Sequence, residues 1–193
     1  MIAGLVLAAG AGERFGSPKQ LAELDERPLL EHSLSAMAAA GLDRLVVVLG
    51  ARAEEVLEQV DLHGAEPVVC ERWAEGQSAS LACGLAHLEG GEPDAVVIGL
   101  GDQPRMSPDA VTRVIDALDG GLAARATYFG EPGHPVVVDA SLLPDLRDVT
   151  GDVGARALLR RAGVLEVACE DLGGGADVDT PAQLDRLGGG GLP

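Results

Sequence analysis

Aromatic side chains are nearly missing: one tryptophan, one tyrosine and two phenylalanines serve 193 residues. An aliphatic core of Leu, Val and Ala must follow, and the length suffices for one sizeable core. Positive charge is also scarce. Fourteen Lys and Arg against 31 Asp and Glu leave a formal charge of -17, so long-range repulsion opposes nonspecific contact with nucleic acid or an anionic membrane. Cysteine is limited to Cys70, Cys83 and Cys169. An odd number without Cys-x-x-Cys spacing suggests neither a disulfide framework nor a zinc knuckle, and predicts three core thiols. Long apolar runs are lacking too. The first ends in glycines after about eight residues, with no basic segment before it, which fits neither a signal peptide nor a membrane span and places the protein in the cytoplasm.

What the chain does have begins at its second residue. An apolar strand, Ile2 to Ala8, runs into Ala9-Gly10-Ala11-Gly12-Glu13-Arg14-Phe15-Gly16-Ser17-Pro18-Lys19. Glycines let backbone N–H groups approach an anion, and Arg14 and Lys19 add cationic donors, so this loop is expected to grip phosphates. It is not a P-loop, because the lysine follows Gly16 late and no hydroxyl follows the lysine. Nor does it suit NAD. Phe15 lengthens the last glycine interval, Pro18 would interrupt a helix begun at Gly12, and the second apolar strand ends in Gly50-Ala51 where a ribose-binding carboxylate belongs.

Further along, β-rich apolar runs alternate with helical patterns, the signature of an α/β fold with a mainly parallel sheet. Strands are predicted at Ile2–Ala8, Leu45–Leu49, Pro67–Cys70, Ala95–Gly99, Ala124–Phe129, Pro135–Asp139 and Leu165–Ala168. Helices are predicted at Pro28–Ala40 with proline at its first position, and at Ala53–Val60, Ser78–Leu88, Pro108–Leu118, Val153–Arg161 and Pro181–Leu187. Ser107 and Thr180, each before a proline, read as N-caps. No linker or repeat divides the chain, so residues 1–187 read as one domain and 188–193 as a flexible tail.

Ligands of such sheets sit beyond the carboxyl ends of the strands. There the fourth strand runs into Gly101-Asp102-Gln103-Pro104, and Asp102 is placed either to hold Mg2+ with substrate phosphates or to serve as a turn residue. Asp177-Val178-Asp179 precedes the last helix. Alternation puts both carboxylates on one side, so either could complete a metal site with Asp102 or orient the helix start. Gly76-Gln77-Ser78-Ala79-Ser80 offers free N–H groups, an amide and two hydroxyls to a base or sugar, or is simply a capped helix start. His134, between Gly133 and Pro135, fits either an acceptor contact or a structural histidine. Asp152, in a glycine-rich turn, fits a cap or a contact with a second substrate. The arginines that follow it, Arg156, Arg160 and Arg161, read as a solvated face, and His32, His63 and His87 as surface residues.

Together the blocks LAAGAGERFG with Lys19, GQSASLACGL, GDQP, GHPVVV, GDVGARALL and DVDTP resemble the nucleotidyltransferases of the molybdenum cofactor cytidylyltransferase type, within the MobA-like NTP transferase superfamily. The resemblance spans nearly the whole chain in order. It implies a Rossmann-like, glycosyltransferase A-like nucleotidyltransferase fold, mostly parallel with one antiparallel strand and helices on both faces. It further implies Mg2+-dependent transfer of CMP from CTP to the terminal phosphate of molybdopterin or its molybdenum form, releasing pyrophosphate. By the same resemblance Leu7, Ala8, Ala9, Gly10, Ala11, Gly12, Gly76, Gln77 and Ser80 line the nucleotide, Arg14, Lys19 and Asp102 act on it, Asp102 and Asp179 hold Mg2+, and His134 and Asp152 face the acceptor. Guanylyl relatives usually carry a second glycine where Ala9 stands. A transient contact with a molybdoenzyme or its chaperone is also implied.

Because an acceptor phosphate is already anionic, positioning and charge neutralisation would carry the reaction without a base or covalent intermediate. Two other readings remain: transfer to a sugar phosphate or another phosphorylated metabolite, and non-catalytic delivery of the molybdenum cofactor.

Overall fold

A seven-stranded sheet organises the chain, and the computed structural model describes residues 1–188, the side chains at 13 and 152–154 excepted. In chain order the elements are β1 (Ile2–Ala8), the short ribbon β2 (Glu23–Leu24) and β3 (Arg27–Pro28), α1 (Leu29–Ala39), β4 (Arg44–Leu49), α2 (Ala53–Gln59), β5 (Glu66–Val69), α3 (Gln77–Leu88), β6 (Ala95–Leu100) and α4 (Pro108–Asp116). There follow β7 (Ala123–Tyr128), β8 (Glu131–Asp139), α5 (Leu143–Arg147), α6 (Asp152–Arg161), β9 (Leu165–Ala168) and α7 (Pro181–Gly188). The sheet order is β5-β4-β1-β6-β8-β7-β9, and β8 alone runs against its neighbours β6 and β7. This is the mostly parallel sheet with one antiparallel strand expected from the sequence.

The central strands read as continuous apolar runs because helices cover both faces. Alternate residues of β1, β4 and β6 divide between two cores. Val6, Val47 and Val97 pack with Leu30, Leu34 and Met37 of α1, Val56 of α2 and Val111 and Val114 of α4. Leu5, Val46, Val48 and Val96 pack on the opposite face with Leu81, Leu85 and Leu88 of α3, Leu146 of α5 and Leu158 of α6. A third cluster of Leu24, Leu29 and Val178, joined by Phe15, Leu184 and Leu187, fastens α7 to the β2–β3 ribbon.

Several expectations are corrected. The two strands predicted over 124–139 form one hairpin, whose turn is Phe129-Gly130 with φ of +55° and +81°. Phe129 is thus an exposed turn residue rather than the end of β7. Pro28 lies just before α1, in extended backbone at φ -54° and ψ 140°, not at its first position. Helix α5 and the ribbon were not foreseen. Gly188 ends α7 instead of belonging to a tail, and residues 189–193 lie outside the described residues. Cys70 and Cys83 form a disulfide, because α3 packs beside the end of β5 and brings their Cα atoms to 5.9 Å, within bridging range. Cys169 alone is a buried free thiol, as expected.

Candidate active site

At the carboxyl end of β1 the chain turns sharply. Gly12 adopts φ +65°, and a Cβ there would stand 2.8 Å from the Ser17 carbonyl oxygen and 3.0 Å from the Lys19 nitrogen, so only glycine lets the loop fold back on Lys19. The Phe15 amide donates to the Gly12 carbonyl at 2.8 Å, closing the first of two 3-10 turns. Gln20, in the second turn, donates from Nε2 to the carbonyls of Ala8 (2.7 Å) and Gly10 (2.8 Å). That buried amide clamps the loop and aims Lys19 over the sheet edge.

The fourth strand in the primary parallel run, β6, brings in the acid. Beyond it Gly101 donates to the Leu7 carbonyl at 3.0 Å, and a Cβ at Gly101 would meet Ala8 Cβ at 2.8 Å. This close approach sets Asp102 beside the phosphate-type loop. Lys19 Nζ donates to Asp102 Oδ2 at 2.7 Å and to Asp179 Oδ1 at 3.1 Å. Asp179 is held by the start of α7: the Gln183 amide donates to Thr180 Oγ1 at 3.3 Å, while Gln183 Oε1 accepts from the Asp179 amide at 2.8 Å. This is a variant of the capping box, and it confirms Thr180 as a cap.

The two candidate carboxylates separate. Residues 173–179 form no strand, and Asp177 accepts from Gln103 Nε2 at 2.7 Å while Asp179 faces Lys19. Burial, reinforced by the charges of Asp102 and Asp179, raises the Asp177 pKa against the Gln103 hydrogen bond and Lys19. Arg14 stands 3.8 Å from Asp179 and is largely exposed, so it is only loosely engaged.

These residues line a cavity of about 440 Å3. Leu7, Ala8, Ala9, Gly10, Ala11, Gly12, Arg14, Lys19, Gly76, Gln77, Ser80, Asp102 and Asp179 all border it. Sequence reasoning missed Gln20, Trp73, Ala74, Leu100 and Gly101 in its wall. Ser78 does not face it: its hydroxyl accepts from the Gly151 amide at 3.0 Å and anchors the loop before α6.

A second cavity of about 730 Å3 shares Leu7 and Gln77 with the first and lies between the sheet and α6. His134 borders it together with Arg125, Arg156 and Arg160, three arginines that sequence reasoning left outside the site. Asp152 opens α6, but its side chain lies outside the described residues. Burial and the positive charges of Arg156 and Arg125 take the His134 imidazole down to about 4, against the pull of Asp102. It is therefore neutral at neutral pH. Tyr128, whose phenol burial pushes up to about 12, donates to the His134 carbonyl at 3.1 Å and fixes that end of β8.

Four buried side-chain atoms among the described residues have no partner: Gln20 Oε1, Asp102 Oδ1, Gln103 Oε1 and Arg125 Nε. Three belong to residues lining the cavities, which is where unmet polar groups serve ligands. Asp102 Oδ1 is a hard oxygen suited to a divalent cation. No cluster of three or more His, Cys, Asp or Glu arranged for a metal occurs among the described residues. A cation held by Asp102 and Asp179 would thus need oxygens from a substrate, as Mg2+ at phosphates commonly does.

The MobA-like NTP transferase domain matches residues 4–167, nearly the whole sheet. The chain belongs to the MobA-like NTP transferase family. As a MobA-like NTP transferase it is a nucleotidyltransferase, and nucleoside triphosphates are the family's substrates. It is 35% identical to nicotine blue oxidoreductase of Paenarthrobacter nicotinovorans, with 96% of each chain covered. The crystal structure of Rv0371c from Mycobacterium tuberculosis H37Rv superposes with a TM-score of 0.87 at 33% identity, covering 98% of this chain and 97% of that one. A second structure of Rv0371c is a complex with manganese, with a TM-score of 0.82 at 32% identity and coverage of 97% and 98%. A nucleotidyl transferase from Methanothermobacter thermautotroptrophicus superposes at 0.81 with 25% identity, covering 98% and 96%. Among the described residues of this MobA-like NTP transferase, no helix is long and apolar enough to cross a membrane.

Proposed function

We propose that this MobA-like NTP transferase moves CMP from CTP to the terminal phosphate of a molybdopterin-type acceptor, releasing pyrophosphate. The observation that carries the reading is the pair of adjoining cavities, one built from the glycine loop, Lys19, Asp102 and Asp179, the other from His134 and arginines. Two substrates need two such rooms that meet. Residues 1–187 act as a single domain in the cytoplasm, where CTP is available, and a molybdoenzyme or its chaperone takes the product by transient contact.

In the first cavity, backbone N–H groups of the loop and the cations of Arg14 and Lys19 hold the triphosphate and stabilise the departing pyrophosphate. Ala8, Gly76, Gln77 and Ser80 contact the base and ribose. Ala9, buried in the cavity wall, stands where guanylyl relatives usually carry a glycine, which supports cytosine. Asp102 and Asp179 would hold Mg2+, which supplies charge neutralisation at the reacting phosphorus.

In the second cavity the neutral His134 offers a hydrogen bond to the acceptor. Arg156 and Arg160 supply the positive charge that an anionic acceptor needs in a chain of net charge -17, while Arg125 is paired with Glu166 at 2.6 Å. No general base is required, since the attacking phosphate is already ionised.

The deciding experiment supplies CTP, GTP, ATP and UTP in turn with molybdopterin and Mg2+ and follows pyrophosphate. CTP is expected to lead. A preference for GTP would overturn the base assignment, and a sugar phosphate outperforming the pterin would replace the acceptor. The oxidoreductase relative makes NAD(P)H the control ligand, and no binding of it is expected.

A further inference from the structure

We propose that Lys19 closes the cation site of the free enzyme, and that its ammonium is handed to the triphosphate when nucleotide and cation enter, so that cation binding is conditional on nucleotide. This rests on the transfer reading above, and adds an order of events that reading does not require.

The ammonium occupies the two carboxylates that a cation would need. Lys19 Nζ sits 2.7 Å from Asp102 Oδ2 and 3.1 Å from Asp179 Oδ1, and its side chain is only 18% exposed. It is also the only lysine in the chain, against thirteen arginines. A lysine suits the task because its ammonium is a compact charge on a flexible four-carbon stem, whereas a guanidinium is a rigid planar fork. With the ammonium in place, a divalent cation on the same carboxylates would meet a like charge at contact range, where repulsion is strong even with the screening of a protein surface.

Two features make the closed state provisional. Asp102 Oδ1 stays buried without a partner, so Lys19 satisfies only half of that carboxylate. The backbone under Lys19 is fixed by Gly12 and by the Gln20 clamp, so the ammonium can leave by side-chain rotation while the loop keeps its shape. A triphosphate entering the loop offers Lys19 a stronger anion and at the same time brings the oxygens that complete a cation's shell. Arg14 cannot take over the closing role, being 78% exposed and 3.8 Å from Asp179. The handover thus neutralises the aspartates in the free enzyme and releases them only when phosphates arrive.

The test is Mn2+ binding without nucleotide, measured by calorimetry and by the paramagnetic resonance signal of free Mn2+. Lys19→Met is expected to bind Mn2+ alone at least tenfold more tightly than the wild type. Lys19→Gln, shorter and uncharged but polar, should move the same way and covers the case in which Met disturbs folding. Adding Asp102→Asn to either variant should abolish the gain. Equal or weaker Mn2+ binding by both Lys19 variants overturns the handover, as does a gain that survives Asp102→Asn. Failure of the transfer reading shows separately, as absence of pyrophosphate from every nucleoside triphosphate with wild-type enzyme.

Discussion

The Val178 amide donates to the Asp102 carbonyl at 2.9 Å, tying the segment before α7 to the end of β6. Val178 is fully buried with Leu24 and Leu29, so one residue fixes the distance between Asp102 and Asp179 by backbone and side chain together. Val178→Ala should cost about 2 kcal/mol of stability. Thermal melting should then fall by roughly 4 to 8 °C. Pyrophosphate release should drop as well, by about tenfold, because Asp179 loses its seat; an unchanged rate would separate Asp179 from the reaction.

Asp102→Asn should leave the fold intact, since Gly101, Gln103 and the Val178 amide keep their backbone contacts. Cation-dependent pyrophosphate release should fall by about a thousandfold, the scale of losing a preorganised charge in a water-poor site. Circular dichroism and a pyrophosphate assay on the same sample check both halves. Retained turnover would remove Asp102 from the site.

Lys19→Ala is expected to slow transfer by roughly a hundredfold or more, since the leaving pyrophosphate loses a half-buried cation. Steady-state kinetics with saturating nucleotide provide the check. Near wild-type turnover would contradict its role.

Part of the acid sensitivity should trace to His134, beside the exposed carboxylates of Glu66, Asp139 and Asp171, which hydrogen bonds hold below the usual range. The His134 pKa of about 4 in the fold lies below the ordinary 6.5, so unfolding takes up a proton between those values. Stability is therefore full above about pH 6.5 and declines as pH falls toward 4, by about 3 kcal/mol at most. Asp177, with its raised pKa, acts in the opposite sense, favouring the fold at low pH. Urea midpoints of wild type and His134→Gln across pH 4 to 7 cancel the Asp177 contribution. The variant should gain on the wild type as pH falls, and parallel curves would mean His134 titrates normally.

The Cys70–Cys83 bond spans 13 residues that include Trp73, Gly76, Gln77 and Ser80 of the cavity wall. Closing a loop of this size stabilises by about 3 kcal/mol. Dithiothreitol, or Cys83→Ser, should lower the melting temperature by roughly 6 to 12 °C. It should also weaken nucleotide binding, read by equilibrium titration. A chain whose mass is unaltered by reduction would show the pair to be open thiols.

How far the sequence revealed all this depended on the signal each element carries. The buried strands β1, β4 and β6 were legible because a strand covered on both faces must be apolar throughout. The glycine loop and Asp102 were legible because they follow such strands directly. By contrast, the β2–β3 turn is made by Asp25 and Glu26 at φ of +51° and +63°, where neither glycine nor asparagine announces it. Gln20 and Trp73 act through contacts with other segments, Gln20 on the Ala8 and Gly10 carbonyls and Trp73 against Gly50, and no periodicity marks them. Asp177 and Asp179, equivalent by alternation, part at Gln103, whose amide takes the first and leaves the second to Lys19. The disulfide was invisible for the same reason: 13 residues of separation say nothing until α3 folds beside β5.

A solitary ε-amine has a practical side. Apart from the chain's amino terminus, every acylating dye, cross-linker or resin aimed at amines must react at Lys19 or not at all. Coupling this protein through amines would attach it by its amino terminus or by Lys19 in the cavity wall, so an immobilised preparation is better tethered by the carboxylates it has in excess.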